Sequence, residues 1–248
     1  MDVPEYPKEI FVGITDKCNI SCIMCWRHTQ HTPFLDMDKS ILEKLKPAFE
    51  HADHIGWWSG GEIFAYTNID ELIILMQQLP DVKHSFSTNG KELANYAERL
   101  VSINLAEVQI SIDGASKGTI KRIRRGVELG EIADGIKALY KAHDNAGKIR
   151  PHIIFNFISM MSNVYEMPLL IELARELEVP KVLIHPLSAT HSNLEAEQPN
   201  RVAPGIEKYY YNIAKELADK YSIVLGHTDM YSMDITEYTP PIVDLWRP

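Results

Sequence analysis

Two periods of apolar and polar residues alternate along the first three quarters of the chain. Glu9-Ile10-Phe11-Val12-Gly13-Ile14-Thr15 is a short β-branched and aromatic run of the kind that forms a strand. Residues 37–49 then place Ile41, Leu42, Leu45 and Phe49 on one face of a helix. The pair of patterns recurs. Strands are expected at 53–59 (aromatic-rich, ending in Gly-Gly), 82–87, 106–112, 151–159 and 181–185. Helices are expected at 68–79, with Asn68 or Asp70 as N-cap, and at 91–101. Two more are expected at 130–143, with Ile132, Ile136 and Leu139 in register, and at 167–177, with Leu169, Leu170, Leu173, Ala174 and Leu177 inward.

Strands that alternate with helices predict βαβ units and a mainly parallel sheet, an α/β fold. Six strands by residue 185 fall short of the eight that close a barrel. The expectation is a partial, open (β/α)6 TIM-like barrel over residues 1–187. A C-terminal extension, helical and irregular, is expected over 188–248. Within it, 188–200 reads as a polar loop, Ile206, Tyr210, Ile213 and Leu217 mark one helix, and 223–225 has the makings of a short strand. Parallel α/β folds carry their chemistry at the C-terminal ends of the strands. Small polar clusters lie at those ends, at 18–25, 59–62, 87–90 and 111–114.

Composition narrows the function classes. The 45% hydrophobic and 24% charged content is that of a globular chain rather than a disordered, collagenous or coiled-coil one. The longest aliphatic run, Leu72 to Met76, is far too short to span a bilayer, and Met1-Asp2-Val3-Pro4-Glu5 does not open a secretory signal. A net charge of −9 argues against nucleic acid or an anionic membrane as the main partner. The only three cysteines, Cys18, Cys22 and Cys25, fall close together. An odd, clustered set is no disulfide framework, which places the chain in a reducing cytoplasm with thiols that bind something.

Their spacing, C-x3-C-x2-C, sits on the loop after the first strand. Three thiolates there can hold three corners of a cubane iron–sulfur cluster and leave one iron with an open position. Two other readings of the same residues remain: three buried reduced thiols, or a structural zinc site with His28 as fourth ligand.

Ser59-Gly60-Gly61-Glu62 closes the second strand. Its glycines let a ligand approach the backbone, and its carboxylate can take hydrogen bonds from an ammonium group. Ser87-Thr88-Asn89-Gly90 ends the third strand. Ser111 and Asp113, at the end of the fourth, are two apart and so share one face of a strand. Lys117, Lys121, Arg122, Arg124 and Arg125 form a charge run, ordinarily a solvated helix face.

Over roughly residues 7 to 187 this arrangement resembles the radical S-adenosylmethionine (SAM) superfamily. The resemblance implies a [4Fe–4S] cluster on Cys18, Cys22 and Cys25, with SAM chelating the fourth iron through its amino and carboxylate groups. Reduction then splits SAM into methionine and a 5′-deoxyadenosyl radical that abstracts a substrate hydrogen. It further implies that Gly60, Gly61 and Glu62 hold the SAM amino group, and that Ser87 and Asn89 lie beside the methionine moiety. Ser111 and Asp113 would meet the ribose, Arg124 (with Arg125 as the alternative) the SAM carboxylate, and Asn156 and Leu187 the nucleoside. Met24 stands where the family commonly has an aromatic residue whose backbone meets the adenine. His28 and His31 lie near the cluster, and His185 faces the active-site side.

The organisation is similar to the SPASM/twitch subgroup, but the cysteines of its C-terminal auxiliary clusters are absent, so a chain that stops short of such a module is expected. Implied partners are a small electron donor protein of flavodoxin or ferredoxin type and a peptide or small-molecule substrate. The expected reaction is modification of a peptide or protein side chain, with oxidation or epimerisation of a sugar or aminoglycoside as the alternative. A structural zinc-binding or scaffold domain is the alternative of another class.

Overall fold

The computed structural model describes residues 5–29, 31, 33–188 and 192–228. Residues 229–248, and with them most of the expected lead-in to a further module, lie outside the described residues. Among the described residues the main sheet has seven strands: β1 (Glu9–Val12), β3 (His54–Trp57), β4 (Lys83–Thr88), β5 (Leu105–Ser111), β7 (His152–Ser159), β8 (Lys181–Pro186) and β9 (Val224–His227), hydrogen-bonded in that order. Every neighbouring pair is parallel. The first and last strands are not paired with each other, so the barrel is open, as expected. A separate two-stranded antiparallel ladder joins β2 (Ser21–Cys22) to β6 (Arg124–Arg125).

The strand count differs from the expected six. β9 pairs with β8 through Lys181↔Val224 and its neighbours, so the sheet continues past residue 187. This strand is faint in the sequence because it is four residues long, contains Gly226, and exposes Val224 at 59%. β1 is shorter than expected. Beyond Val12 the chain turns to residues 35–37, where Asp16 N donates to Leu35 O and Met37 N to Ile14 O.

Helices α1 (Lys39–Phe49), α2 (Ile69–Gln77), α3 (Leu93–Leu100), α4 (Lys117–Ile123), α5 (Leu129–Asn145), α6 (Met167–Glu176), α7 (Pro199–Val202) and α8 (Ile206–Tyr221) connect these strands. The core lies between the helices and the outer face of the sheet, where alternate strand residues such as Ile55 and Trp57 are fully buried. Trp57 packs edge-on against Phe49 of α1, with ring centroids 5.5 Å apart. Asn68 occupies the N-cap position of α2, though its side chain makes no capping bond.

The cation-rich run forms α4, and it is not only a solvated face: Thr119, Ile120, Ile123 and then Arg124 are buried. Buried Glu166, from the turn before α6, fixes its start. The carboxylate accepts from Ala115 N (2.7 Å), Ser116 Oγ (2.7 Å) and Thr119 Oγ1 (2.6 Å), as an anion at a helix N-terminus does. Among the described residues no helix is long and apolar enough to cross a membrane.

Candidate active site

The cysteine loop is pressed onto the loop after β3. Gly61 N donates to Thr15 O (3.0 Å) and Glu62 N to Lys17 O (2.8 Å). A Cβ on Gly61 would stand 1.9 Å from Lys17 O, so only glycine fits there. The close approach expected of a ligand is thus made by the chain's own loop. Asp36 braces the flank, accepting from Thr15 Oγ1 (2.6 Å) and Lys17 Nζ (2.8 Å). Burial alone would raise the Asp36 carboxyl, but the Lys17, Thr15 and Thr67 donors outweigh it and bring it down to about 2.

The far side of the loop is held by the β2–β6 ladder, in which Cys22 faces Arg124 and Ser21 faces Arg125, and by Ile23 N donating to Ile123 O (2.9 Å). Gly126 turns the chain out of this ladder at φ 108°, a conformation that L side chains rarely adopt.

These supports bring the predicted residues to two adjoining cavities at the C-terminal ends of the strands. One, about 160 Å³, is lined by Cys18, Cys22, Cys25, Gly60, Gly61, Glu62, Ser87, Asn89, Ser111 and Arg124. The other, about 510 Å³, shares Cys22, Cys25, Ser111 and Arg124 and adds Met24, Asn156 and Leu187. Its volume is in the usual range for a small-molecule site.

Asp113 is the exception. β5 ends at Ser111, so the shared strand face expected for Ser111 and Asp113 is not formed. The Asp113 side chain is fully buried, accepts from Ile158 N (2.7 Å) and lies 2.6 Å from Arg124 Nε as an ion pair. It therefore backs the cavity wall and does not reach the ribose side expected of it. Arg125, the alternative to Arg124, is exposed and lines neither cavity.

Glu62 is buried, and its carboxylate accepts from Thr88 Oγ1 (2.6 Å) and Asn89 N (2.7 Å). Burial pushes it up to about 7 against those donors. Asn89 Nδ2 in turn donates to Asn19 Oδ1 (2.8 Å) in the cysteine loop. The three cysteines are half-buried free thiols. Burial raises Cys18, and it raises Cys22 to about 11 against the pull of Arg124, so metal binding at Cys22 would release a proton.

The donor set suits a multi-iron cluster with an organic ligand. Three thiols and a buried carboxylate face one cavity, and Ser59 Oγ and Arg27 Nε on the same wall are buried without a hydrogen-bond partner. His28, the fourth ligand of the zinc alternative, is turned to the main chain, with Nε2 2.8 Å from Cys22 O.

Sequence reasoning missed Arg27 and one further part of the site. A hydrogen-bonded row crosses β5, β7 and β8: Gln109 Nε2 donates to Glu107 Oε1 (2.8 Å), Asn156 Nδ2 to Gln109 Oε1 (2.8 Å), and Asn156 Oδ1 meets His185 Nε2 (3.1 Å). Because a carboxylate only accepts, it orients both amides and leaves His185 to donate through Nε2. Burial lowers the His185 pKa. With Trp26, Ile158, Pro186 and Ser188, His185 completes the larger cavity. The signal available was polar residues at alternate positions, 107, 109 and 111, on a strand otherwise read as core.

Comparison with known proteins gives consistent results. The family model of the radical SAM superfamily matches residues 12–167. The chain is similar to the probable GTP 3′,8-cyclase of Methanococcus maripaludis strain C5, at 28% identity over 171 residues, which are 67% of this chain and 54% of that one. It is also similar to the probable GTP 3′,8-cyclase of Methanocaldococcus jannaschii, at 26% identity over 223 residues, 86% of this chain and 68% of that one. The chain spans about half the length of the first of these relatives. Two solved structures share the fold. Streptococcus suis SuiB bound to precursor peptide SuiA has a TM-score of 0.66 at 14% identity, covering 90% of this chain and 49% of that one. Native anSMEcpe with bound AdoMet has a TM-score of 0.68 at 14% identity, covering 90% and 64%.

Proposed function

The chain belongs to the radical SAM superfamily, and on that footing we propose that it binds a [4Fe–4S] cluster through Cys18, Cys22 and Cys25, binds SAM beside it, and removes a hydrogen atom from a peptide or protein side chain. The observation that carries this reading is the single cavity shared by all three cysteines, Glu62, Ser87, Asn89 and Arg124. When bound, the cluster and SAM supply the 5′-deoxyadenosyl radical chemistry of the family.

The chain's own residues bind, orient and exclude water. Glu62, held by Thr88 and Asn89, would take the SAM amino group, which favours its ionised form. Ser59 and Arg27 have donors to spare for the same ligand. Arg124 lines both cavities and would meet the SAM carboxylate. The Met24 backbone, Asn156, Ser111 and Leu187 would bound the nucleoside. The half-buried thiols and the apolar wall of Met24, Ile158 and Leu187 limit water at the reacting centre. An electron donor of flavodoxin or ferredoxin type would act as partner in a reducing cytoplasm.

The peptide reading draws support from the fold shared with SuiB in its complex with a precursor peptide. A second reading, a purine nucleotide substrate, draws support from the sequence relatives named GTP 3′,8-cyclase. Anaerobic reconstitution tests the chemistry. We expect about four iron with matching labile sulfide per chain, and 5′-deoxyadenosine from SAM on reduction with dithionite. Zinc without sulfide, or a cluster that yields no 5′-deoxyadenosine, would overturn it. Added GTP tests the substrate: if it stimulates SAM cleavage and is itself consumed, the nucleotide reading replaces the peptide one.

A further inference from the structure

We propose that the buried Arg124–Asp113 pair sets the reduction potential of the cluster through Cys22, with Arg124 raising it and Asp113 lowering it. The proposal rests on the cluster reading above and adds a second role for Arg124 and a first one for Asp113. Arg124 Nη1 lies 3.8 Å from Cys22 Sγ, a donor aimed at a cluster ligand. Its Nε lies 2.6 Å from Asp113 Oδ2, with side chains 8% and 0% exposed. Water therefore screens neither charge well.

The contact is built into the backbone. Cys22 and Arg124 are direct partners in the β2–β6 ladder, and the bond from Ile23 N to Ile123 O fixes their register. Arg125, one residue on, pairs with Ser21 and is exposed, so the molecule carries its own control.

Uptake of one electron by the cluster adds one negative charge near Cys22 and changes no bond. Iron–sulfur potentials follow net charge, hydrogen bonds to sulfur and solvent exposure. A cation that donates to Sγ favours the electron-rich state. Asp113 is needed to keep that cation buried, and its charge opposes the same step from one guanidinium further away. Arg27 is the other cation on the smaller cavity, and it stacks over Phe34 at 4.1 Å.

The test is a potentiometric titration of reconstituted protein without SAM, with dithionite as reductant and the reduced cluster read by EPR, after iron and sulfide have been counted. Arg124→Gln should lower the equilibrium constant for reduction at least tenfold, about 59 mV for one electron. Asp113→Asn should move the potential upward, Arg124→Lys should fall between wild type and Arg124→Gln, and Arg125→Gln should match wild type. The proposal is overturned if Arg124→Gln and Arg125→Gln shift alike, or if Asp113→Asn moves the potential down. Should Arg124→Gln lose its cluster, Arg124→Lys and Asp113→Asn still decide, because both unshifted from wild type overturns the proposal. A wild-type chain that takes up no iron and sulfide defeats the cluster reading itself, and the counting step identifies that case.

Discussion

The two walls of the cavity are built by different means. On the side of β1, β3 and β4 main-chain donors join the loops, beside side-chain bonds such as Thr88 Oγ1 to Glu62 and Asn89 Nδ2 to Asn19. Gly61 and Glu62 N–H groups bond the cysteine loop, and Asn89 N bonds the Glu62 carboxylate. On the side of β5, β7 and β8 they are made side chain to side chain, in the Gln109–Asn156–His185 row and the Arg124–Asp113 pair. Main-chain contacts leave little freedom of residue type, because a Cβ or a lost carboxylate displaces the backbone itself. Side-chain contacts can be exchanged for others without moving a strand. The first wall should therefore tolerate fewer residue types than the second.

Substitutions on the two walls should differ in size accordingly. The largest effect is expected at Gly61→Ala, where the new Cβ would meet Lys17 O at 1.9 Å and drive the cysteine loop outward. We expect the iron content to fall to background and the melting temperature to drop, since overpacking costs roughly 1–3 kcal/mol and each kcal/mol is worth about 2–4 °C in a chain of this size. A Gly61→Ala protein with full iron content would break the comparison at its firmest point.

Glu62→Gln comes next. SAM affinity should fall at least tenfold in calorimetry, the loss of a charged hydrogen bond of about 1.5–3 kcal/mol. Unliganded stability should move the other way. The folded pKa of Glu62, about 7, lies above its ordinary 4.5, so the fold favours the protonated acid. That stability is full below pH 4.5 and is lost as pH rises through about 7. Glu62→Gln should remove this dependence and be more stable than wild type at pH 8, by on the order of 3 kcal/mol at most. A lower stability at pH 8 would show that the buried anion is better satisfied than its two donors suggest.

The smallest effect is expected at His185→Gln. It keeps a donor for Asn156, so cluster content should match wild type and SAM affinity should change less than tenfold, within the ~0.5–1.5 kcal/mol of one neutral hydrogen bond. A loss of SAM binding larger than that of Glu62→Gln would reverse the ranking of the two walls.

The same division explains what the sequence disclosed. The alternation of strands and helices was legible, and so were Cys18, Cys22, Cys25, Gly60, Gly61, Glu62 and Asn89, because each sits where backbone geometry or ligand chemistry narrows the choice of residue. β9 was faint because its apolar signal reduces to Leu225 between exposed Val224 and Gly226. Asp113 was misplaced because β5 ends at Ser111 and its carboxylate turns to Arg124 and Ile158 N, contacts that have no local spacing. His185 was left without a role because the row that orients it crosses three strands and has no local spacing.

Glu166 shows how far control of this site extends. It lines neither cavity, yet its carboxylate anchors one end of α4, and the other end of that seven-residue helix delivers Arg124 to Cys22. The helix works as a rod about 10 Å long, pinned at the base and carrying a charge at the tip. A library of variants ranked by distance from the cysteines would place position 166 among the bystanders. Selection for altered redox behaviour should find it all the same, since a small displacement at the pin is carried to the tip.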